Sequence, residues 1–432
     1  MVNNTIYKCD YCNSLLRLRY QVGYFNIPIN IYCPKCNSHI SGTIVVGNNI
    51  TEIKEYVVGA TRDKSDDYEF VIELSTEFII DKSKKKEDCP EYQISMFLKS
   101  DPFNEERNKR RELLLCFAKS SDHYINIIEN LYNLLDEKRI DLIREFFLKN
   151  DSLTFLNEAR DKIDYNQIIN ELDATLATKH LFNNILNPIM PKGVFKNIYS
   201  IMNEKIRQMF RMHFSAIQEF ISYLDADYFQ TYLHRIPDFI VDYIKHIEQL
   251  IPIYDSYEVF DSINLEEKGI STLSVDDMAV LYKKGYELLC DSIDLLIGLY
   301  NIETNGTYDN FGKGILDFNE KLNSYSSKFN KYEEFTSKSS DLFDGIRGKL
   351  NNVIRNAEGH NSISIDGLTQ KIVFINKHKG NVKTHEMTFL EFGKACIDIF
   401  VAILYVWEYY YQFVKFKSVL IDKKPLHYGK QL

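Results

Sequence analysis

Two pairs of closely spaced cysteines near the N-terminus restrict the folds open to this chain more than any other feature. Cys9 and Cys12 form the first CxxC pair, and Cys33 and Cys36 form the second after 20 intervening residues. Pairs with this spacing bring four thiolates around one tetrahedral metal ion, typically Zn²⁺. Four cysteine ligands leave no coordination position open, so the sequence predicts a structural zinc site rather than a catalytic one.

The stretch between the two pairs has strand character. Residues 16–20 and 27–32 are rich in apolar and aromatic side chains and contain no helical repeat. Together with the cysteines, this pattern resembles a zinc ribbon, which we assign to residues 1–45. His39 is close enough in sequence to replace one ligand, but we expect it on the surface just after the second pair.

Disulfide bonds are the competing interpretation of these cysteines. We expect no secretory leader before Cys9, and disulfides are rare in chains that stay in a reducing compartment. The other cysteines are scattered along the chain, at Cys89, Cys116, Cys290 and Cys396. Bound metal is therefore the prediction.

The ribbon segment also mixes basic and aromatic residues, a combination that can bind phosphates and stack on bases. These residues are Lys8, Arg17, Arg19 and Lys35, and Tyr7, Tyr11, Tyr20 and Tyr32. The alternative is that the tyrosines fill the core of the ribbon. We favour the alternative, because so short a segment has few other apolar residues with which to build a core.

Length and composition indicate an ordinary globular protein with more than one domain. The chain has 432 residues, of which 45% are hydrophobic and 26% are charged. Its net charge of −9 argues against general coating of nucleic acid. The basic run at 107–111 is expected to be a solvated helix face rather than an RNA path. The most apolar run, 399–407, is too short to span a membrane and is predicted to be a buried core or dimer helix.

A second informative pattern lies near the C-terminus, where Arg355 and Asn356 precede Gly359 and His360. Apolar residues from 342 to 357 recur at helical spacing, which predicts one helix leading into this pattern. An unbroken helix would hold Arg355 and His360 roughly 140° apart around its axis. We expect Gly359 to end the helix in a left-handed cap, so that His360 folds back beside Arg355.

The residues that follow predict a β-hairpin and then a long helix. Residues 370–374 and 382–384 flank a turn at 379–381, as two paired strands would. Thr388 and Glu391 form a capping box that opens an apolar helical stretch.

This C-terminal arrangement resembles the HEPN superfamily, whose mark is an Arg-x4-6-His motif, often with a polar residue directly after the arginine. The resemblance covers residues 341–413, and Asn356 takes the polar position. Many proteins of this superfamily are metal-independent endoribonucleases of toxin, abortive-infection and antiviral defence systems. The resemblance implies that His360 handles a proton, that Arg355 stabilises the phosphorane, and that Asn356 orients its neighbours or binds a phosphate.

The expected fold is therefore multidomain and mainly α. It comprises the zinc ribbon at 1–45, a β-rich segment and linker at 46–100 with its polar linker at 81–88, a helical domain at 101–325, and a HEPN-like helical domain with a hairpin insertion at 326–432. The resemblance also implies a homodimer through the C-terminal helices, since two motifs usually face each other. A cytoplasmic enzyme acting on RNA, held in check by a regulatory protein or a phage trigger, is the expected setting.

Two alternatives remain open. Arg207 and His213 also match the motif, but they fall in 203–220, which we predict to be one continuous helix, so we treat this match as chance. The other alternative is that Arg355 and His360 are structural, and that the chain is a non-catalytic adaptor for RNA or a protein partner.

Overall fold

The computed structural model describes residues 2–23, 25–47, 52–89, 93–100, 104–150, 164–224, 226–312, 314–359, 362–378 and 381–428. Helices predominate in these residues, and most of the strands lie in the first 85. The expectation of a mainly helical chain with an N-terminal β region is thus confirmed. No helix among the described residues is both long enough and apolar enough to cross a membrane.

The strands fall at the two ends of the chain, apart from one short strand in the middle. They are β1 (Val2–Cys9), β2 (Leu15–Gln21), β3 (Ile27–Tyr32), β4 (His39–Val46), β5 (Ile53–Val58), β6 (Ala60–Arg62), β7 (Phe70–Leu74), β8 (Ile80–Asp81), β9 (Lys84–Lys85), β10 (Lys268–Gly269), β11 (Ile363–Asp366), β12 (Lys371–His378) and β13 (Asn381–Thr388).

The α-helices are α1 (Met96–Lys99), α2 (Glu105–Lys119), α3 (Ser121–Asp136), α4 (Ile140–Lys149), α5 (Glu171–Leu186), α6 (Val194–Lys196), α7 (Asn203–Met212), α8 (Phe214–Tyr223), α9 (Ala226–Lys245), α10 (Ile247–Ser256), α11 (Val275–Asn305), α12 (Phe318–Asn323), α13 (Lys328–Thr336), α14 (Asn352–Gly359) and α15 (Phe389–Phe416). Shorter 3₁₀ or π turns lie at Lys86–Asp88, Tyr165–Gln167, Asn187–Ile189, Asn197–Met202, Tyr257–Ser262, Asp341–Phe343 and Lys417–Ile421.

The described residues form two compact units, each built from separate stretches of the chain. The first unit comprises Met1–Lys119, Lys245–Lys283 and Asn351–Asp398. The second comprises Ser120–Ile244, Lys284–Leu350 and Ile399–Leu432. Each unit thus combines stretches that are distant in the sequence.

Four small sheets organise the strands of the first unit. The largest has the order β6-β1-β2-β7-β9, in which only the β2–β7 pair is parallel. A second sheet has the order β3-β4-β5, and β10 pairs with β8. Another three-stranded sheet, β11-β12-β13, contains the predicted hairpin, with Phe374 opposite His385.

Strands on both sides of position 45 belong to the same sheets. β5 pairs with β4, β6 with β1, and β7 with β2. Their buried side chains form one core cluster that includes Leu16, Ile29, Ile44 and Leu74. A short ribbon alone has too little apolar surface for a stable core, and the later strands supply the rest.

The polar run at 81–88 is not the linker that its charges suggested. Lys84 and Lys85 pair with β7, and the side chain of Lys82 is buried, donating to the Leu265 carbonyl at 2.6 Å. Asp81 accepts hydrogen bonds from Lys99 at 2.8 Å and from Lys268 at 2.6 Å. Asp81 and Lys82 are therefore held within the fold, a pairing that local sequence does not reveal, whereas residues 85–88 are exposed.

Among the helices of the chain, α3 buries Ile125, Ile128 and Leu131 on one face. Pro252 lies inside α10. Phe214 begins α8 with 44% of its surface exposed.

The Asp81 cluster predicts a specific dependence of stability on pH. Burial raises the pKa of Asp81. Lys268 and Lys99 lower it by more than burial raises it, so the pKa lies well below its usual value of 3.8. The unfolded chain therefore binds the proton at a higher pH than the folded chain does. This contribution to stability is present above about pH 4 and is lost as pH falls through the folded pKa.

We therefore expect Asp81→Asn to lower the free energy of unfolding at neutral pH and to flatten its decline below pH 4, as measured by urea titrations across pH. The exposed Asp88 offers a matched control as Asp88→Asn. Equal acid sensitivity of Asp81→Asn and wild type would contradict this account.

Candidate metal centre and the Arg355 helix

The four cysteines of the two CxxC pairs converge in space. Cys9 ends β1, Cys33 follows β3, and Cys12 and Cys36 lie in the turns after them. All four sulfurs lie within 4.8 Å of one another. The Sγ atoms of Cys9 and Cys36 are 3.7 Å apart, and those of Cys12 and Cys33 are 3.6 Å apart.

These distances fit a bound metal better than disulfide bonds. A disulfide brings sulfurs to about 2 Å, and all four cysteines are free thiols. A regular tetrahedron with metal–sulfur bonds of about 2.3 Å has edges of about 3.8 Å. The cluster therefore has the donor set and the size of a four-thiolate site. His39 is exposed and stacks against Tyr32 with ring centroids 5.0 Å apart, which agrees with its expected place on the surface.

The two turns that carry the cysteines have the same backbone geometry. Asn13 and Asn37 follow the second cysteine of each pair and have φ values of 60° and 59°. Their backbone N–H groups donate to the carbonyls of Cys9 and Cys33 at 3.0 and 2.8 Å. Asparagine tolerates this left-handed conformation better than most residues. The sequence carried the signal for this geometry, since Asn-Ser follows both pairs, but the sequence analysis did not use it.

The serine after the second turn polarises the cluster. The Oγ of Ser38 lies 3.3 Å from the sulfur of Cys9 and 3.1 Å from that of Cys36. Burial raises the pKa of Cys9, but hydrogen bonds from Ser38 and from nearby backbone N–H groups outweigh burial and lower it to about 6. Burial raises the pKa of Cys33 above its ordinary value. Thiolates are the species that bind metal, so the lowered pKa of Cys9 favours binding of a cation on that side of the cluster.

The basic and aromatic residues of the ribbon divide between its core and its surface, where Lys8 and Lys35 are exposed. Tyr7 and Tyr20 are buried, and their hydroxyls donate to the carboxylate of Glu55 at 2.8 and 2.5 Å. Arg19 is buried against Glu73 at 2.5 Å. This agrees with the interpretation that tyrosines fill the core, although Tyr11 is 72% exposed.

The basic run at 107–111 is likewise paired rather than solvated. Arg107 and Arg111 both contact the carboxylate of Asp255 at 2.7 Å, and Arg110 pairs with Glu258. These contacts fix α2 on α10 within the first unit.

The helix that carries Arg355 is shorter than its apolar pattern predicted. Only Asp341–Phe343 forms a turn upstream, and Gly348 has a φ of +69° that ends any helical path. α14 begins at Asn352. Asn351 caps it, because its Oδ1 accepts from the N–H of Val353 at 2.9 Å. Glycine at 348 permits the break that the periodicity alone concealed.

Arg355 and Asn356 interact directly on α14. A terminal N–H of the Arg355 guanidinium donates to the Oδ1 of Asn356 at 2.9 Å, and both side chains are half-buried. On the same helix, Glu358 pairs with Lys283 at 2.6 Å. Ile354 and Ala357 are buried on the face that contacts β12 and β13. The apolar face of α14 packs on β12 and β13, and the polar face carries the guanidinium of Arg355.

α14 ends at Gly359, where the sequence predicted a left-handed cap, and that cap stays a prediction. His360 and Asn361 lie outside the described residues. Beyond them, the N–H of Ser362 donates to the Ala357 carbonyl at 2.9 Å, and the Ser362 carbonyl accepts from Ile375 at 2.9 Å. These two bonds tie the chain on the far side of His360 to the helix and to β12.

The predicted hairpin and capping box are both confirmed. β12 and β13 pair from Lys371 with Thr388 to His378 with Asn381. The carboxylate of Glu391 accepts from the Thr388 N–H at 2.6 Å, and the Thr388 hydroxyl accepts from the Glu391 N–H at 3.2 Å. This reciprocal pair starts α15 directly behind the hairpin.

The second motif match does not lie in one continuous helix, contrary to the sequence expectation. α7 ends at Met212, and His213 separates it from α8. Arg207 is exposed and His213 is half-buried in the second unit. Arg207 and His213 therefore cannot be dismissed as a chance match on the ground that they lie in one unbroken helix.

Comparison with known protein families, curated proteins and solved structures finds no match for this chain. The interpretation of both sites consequently depends on their own residues.

The second cysteine turn contacts the connection between β11 and β12 through Asn37. The Nδ2 of Asn37 donates to the Ile365 carbonyl at 2.5 Å, and its Oδ1 accepts from the Gly367 N–H at 2.7 Å. Asn13 occupies the same backbone position in the first turn and is exposed. Comparing substitutions at Asn37 and Asn13 therefore separates the effect of the backbone conformation from the effect of the side-chain hydrogen bonds.

We expect Asn37→Gly to destabilise the protein by about 1–3 kcal/mol, because two hydrogen bonds are lost while the left-handed conformation is retained. Asn13→Gly should change stability by less than about 0.5 kcal/mol. Chemical denaturation of the two variants and wild type measures the difference, and equal effects at the two positions would exclude a role for the Asn37 side chain.

Proposed function

We propose that this protein is a metal-independent endoribonuclease of the HEPN type, with its reaction centre at the end of α14. The observation that carries the proposal is the Arg355 guanidinium, held by Asn356 on a well-anchored helix that leads directly into His360. An arginine provides a permanent planar charge suited to phosphate oxygens, and a histidine exchanges protons near neutral pH. Together they suffice for cleavage of a phosphodiester without a metal ion.

In the proposed reaction, the ribose 2′-hydroxyl attacks the adjacent phosphorus. His360 takes the proton from that hydroxyl or supplies one to the departing 5′-oxygen. Arg355 stabilises the negative charge that grows on the phosphorane oxygens. The products carry a 2′,3′-cyclic phosphate and a 5′-hydroxyl. Asn356 positions the guanidinium, because its Oδ1 accepts an Arg355 N–H.

One motif provides half of the usual HEPN site, so the proposal includes a homodimer through the C-terminal helices. The protein would act on RNA in the cytoplasm as a toxin or defence effector, restrained until a regulatory protein or phage trigger acts. Because α7 ends at Met212, directly before His213, Arg207 and His213 are retained as a second candidate half-site within the same chain.

We also propose that Cys9, Cys12, Cys33 and Cys36 hold one structural Zn²⁺. The cluster supports this by its four soft donors and tetrahedral size, and it offers no position for a reacting water. When bound, the ion would fix the two turns and, through Asn37, the connection that leads into β12.

The alternative function is that of a non-catalytic adaptor for RNA or a protein partner. The contact between Arg355 and Asn356 is the observation in its favour, since a hydrogen bond within the helix also suits a purely structural arginine. The two functions differ in what replacement of His360 does to RNA.

Cleavage of a mixed single-stranded and structured RNA pool, in magnesium-free buffer with EDTA, tests the ribonuclease proposal. We expect wild type to give 2′,3′-cyclic phosphate ends and His360→Ala or Arg355→Ala to reduce cleavage about 100-fold or more, the usual effect of removing a proton-transfer group or a charge stabiliser. Arg355→Lys should recover little, because an ammonium cannot reproduce the planar fork.

His123→Ala and Arg144→Ala provide matched controls in the helical unit and should cleave as wild type does. His213→Ala distinguishes the two sources of a second half-site: loss of activity would place it in the same chain, and full activity would favour the homodimer. Equal cleavage by wild type and His360→Ala would refute the assignment.

Elemental analysis of the purified protein tests the metal proposal separately. We expect about one zinc ion per chain, and Cys33→Ser should lose the ion together with several kcal/mol of stability, because metal binding and folding are coupled. The exposed Cys116 lies outside the cluster, so Cys116→Ser should retain both. Full zinc content in Cys33→Ser would be incompatible with a four-cysteine site.

A further inference from the structure

Three cations of the second unit form no ion pair with any carboxylate that the structure describes. Arg207 and Arg211 belong to α7, and Lys415 belongs to the last turn of α15. By contrast, the neighbouring Lys205 of α7 pairs with Asp341. The three cations therefore differ from the rest of their surroundings in having no internal counter-charge among the described residues.

Contacts between α7 and α15 bring Arg207 and Lys415 to the same place. The Nε2 of Gln412 donates to the Oδ1 of Asn203 at 3.1 Å, and two pairs of phenylalanine rings further along the same helices are in contact. Arg207 lies one helical turn after Asn203, and Lys415 lies one turn after Gln412. The two cations consequently lie on either side of the same seam.

Their proximity is unfavourable in the absence of an anion. Lys415 is half-buried, and burial lowers its pKa. The charge of Arg207 lowers this pKa further, and Glu408 opposes both effects. Glu408, however, is 2% exposed and already pairs with Lys179 at 3.2 Å. Arg207 and Lys415 therefore repel each other with little compensation, and a bound anion would remove this cost.

The charges along α7 add to the surplus. Arg207 and Arg211 are four residues apart, a spacing at which like charges destabilise a helix. The helix dipole favours Arg211, which lies in the last turn, but not Arg207. Glu204 is the one carboxylate of α7, and it accepts a hydrogen bond from Gln208 at 3.2 Å. The described charges at the seam are four cations and two carboxylates, namely Lys179, Arg207, Arg211, Lys415, Glu204 and Glu408.

The opposite side of α7 has the opposite character. A cavity there is lined by Lys205 together with the carboxylates of Glu303, Asp341 and Asp344. Arg207 is two residues from Lys205 and therefore points about 200° away around the helix axis. A polyanion is repelled from the carboxylate side of α7 and attracted to the side of Arg207.

An exposed aromatic ring adjoins the cations. Phe214 begins α8, two residues after the end of α7, and is 44% exposed. Its ring centroid lies 5.6 Å from that of Phe416, the residue directly after Lys415. Cations beside an exposed ring are the combination that binds the backbone and a base of a single-stranded nucleic acid.

We propose that Arg207, Arg211 and Lys415 bind backbone phosphates of single-stranded RNA, and that Phe214 stacks on one base. The identity of the ligand as RNA rests on the proposed ribonuclease function, whereas the charge and the ring are properties of this surface alone. Arg207 acts here by binding phosphate, a role that does not require His213.

Binding of a short, fluorescein-labelled 2′-O-methyl RNA of mixed sequence to the full-length protein, followed by anisotropy, tests this proposal. The blocked 2′-oxygen cannot attack the phosphorus, so binding is measured without cleavage. We expect saturable binding at low salt, with an affinity that falls linearly with salt concentration on logarithmic axes. Arg207→Gln and Lys415→Gln should each weaken binding about tenfold, the effect of one charge-assisted hydrogen bond. Each should also reduce the salt slope by about 0.7, the contribution of one phosphate on a single strand.

The other variants separate stacking and folding from phosphate binding. Phe214→Leu should weaken binding about fivefold and leave the salt slope unchanged, because stacking releases no counterions. Without RNA, Lys415→Gln should keep or raise the thermal midpoint, because it relieves repulsion, whereas loss of a structural cation would lower it. Arg144→Gln is the matched control, since Arg144 lies on α4 of the same unit and pairs with no described carboxylate, and it should bind as wild type does.

Wild-type affinity and salt slope in both Arg207→Gln and Lys415→Gln would overturn the proposal. So would a failure of wild type to saturate by about 0.1 mM protein at low salt, the weak end of non-specific binding to nucleic acid. Binding of phosphatidylglycerol vesicles that needs Arg207, without binding of RNA, would assign the cations to a lipid surface instead.

The two proposals fail separately. Unchanged RNA binding in these variants, together with cleavage that needs His360, would reject only the phosphate site. RNA binding that needs Arg207 and Lys415, without cleavage of unmodified RNA, would reject only the ribonuclease.

Discussion

Hydrogen bonds to the segment 264–274 hold together the three separate stretches of the first unit. The Ser271 carbonyl accepts from the N–H of Asn30 at 2.8 Å, and the Glu267 carbonyl accepts from that of Lys82 at 2.8 Å. From the C-terminal stretch, the side chain of Gln370 accepts from the Ile270 N–H at 2.9 Å. Buried backbone groups must find partners, and here each partner lies in a different part of the chain. The β module, the central segment and the hairpin are therefore one cooperative structure.

The cysteine cluster adds a second link of the same kind. Four sulfurs within 4.8 Å of one another cannot all be thiolates without a cation, because like charges so close repel strongly. The arrangement of the four sulfurs therefore depends on whether a cation is bound between them. Through Asn37, that geometry extends to the connection between β11 and β12, and β12 in turn bonds Ser362 just beyond His360. A structural metal would in this way support the proposed reaction centre without taking part in its chemistry.

Two cations on the helices differ in their surroundings. Arg355 is half-buried and donates to the neutral amide of Asn356. Lys179 is almost fully buried against the carboxylate of Glu408. A buried ion pair of the second kind is weak evidence for stability, because desolvation of both charges offsets their attraction.

The sequence by itself determined the features that depend on local spacing. The two CxxC pairs predicted the cysteine cluster, the alternating strands predicted the hairpin, and Thr388 with Glu391 predicted the start of α15. In each case the interacting groups are close in the chain or their residue types allow few arrangements. The motif around Arg355 was likewise visible, although its chemistry stays a prediction.

Only the tertiary structure decided how distant groups are paired. The charges at 81–88 suggested a linker, but Asp81 is held by Lys99 and Lys268. The apolar repeat at 342–357 suggested one helix, but Gly348 breaks it and α14 begins at Asn352. Periodicity reports which side chains avoid water, and charge reports which prefer it. Neither specifies the partner, because burial and ion pairing are satisfied by any complementary group that the folded chain brings within reach.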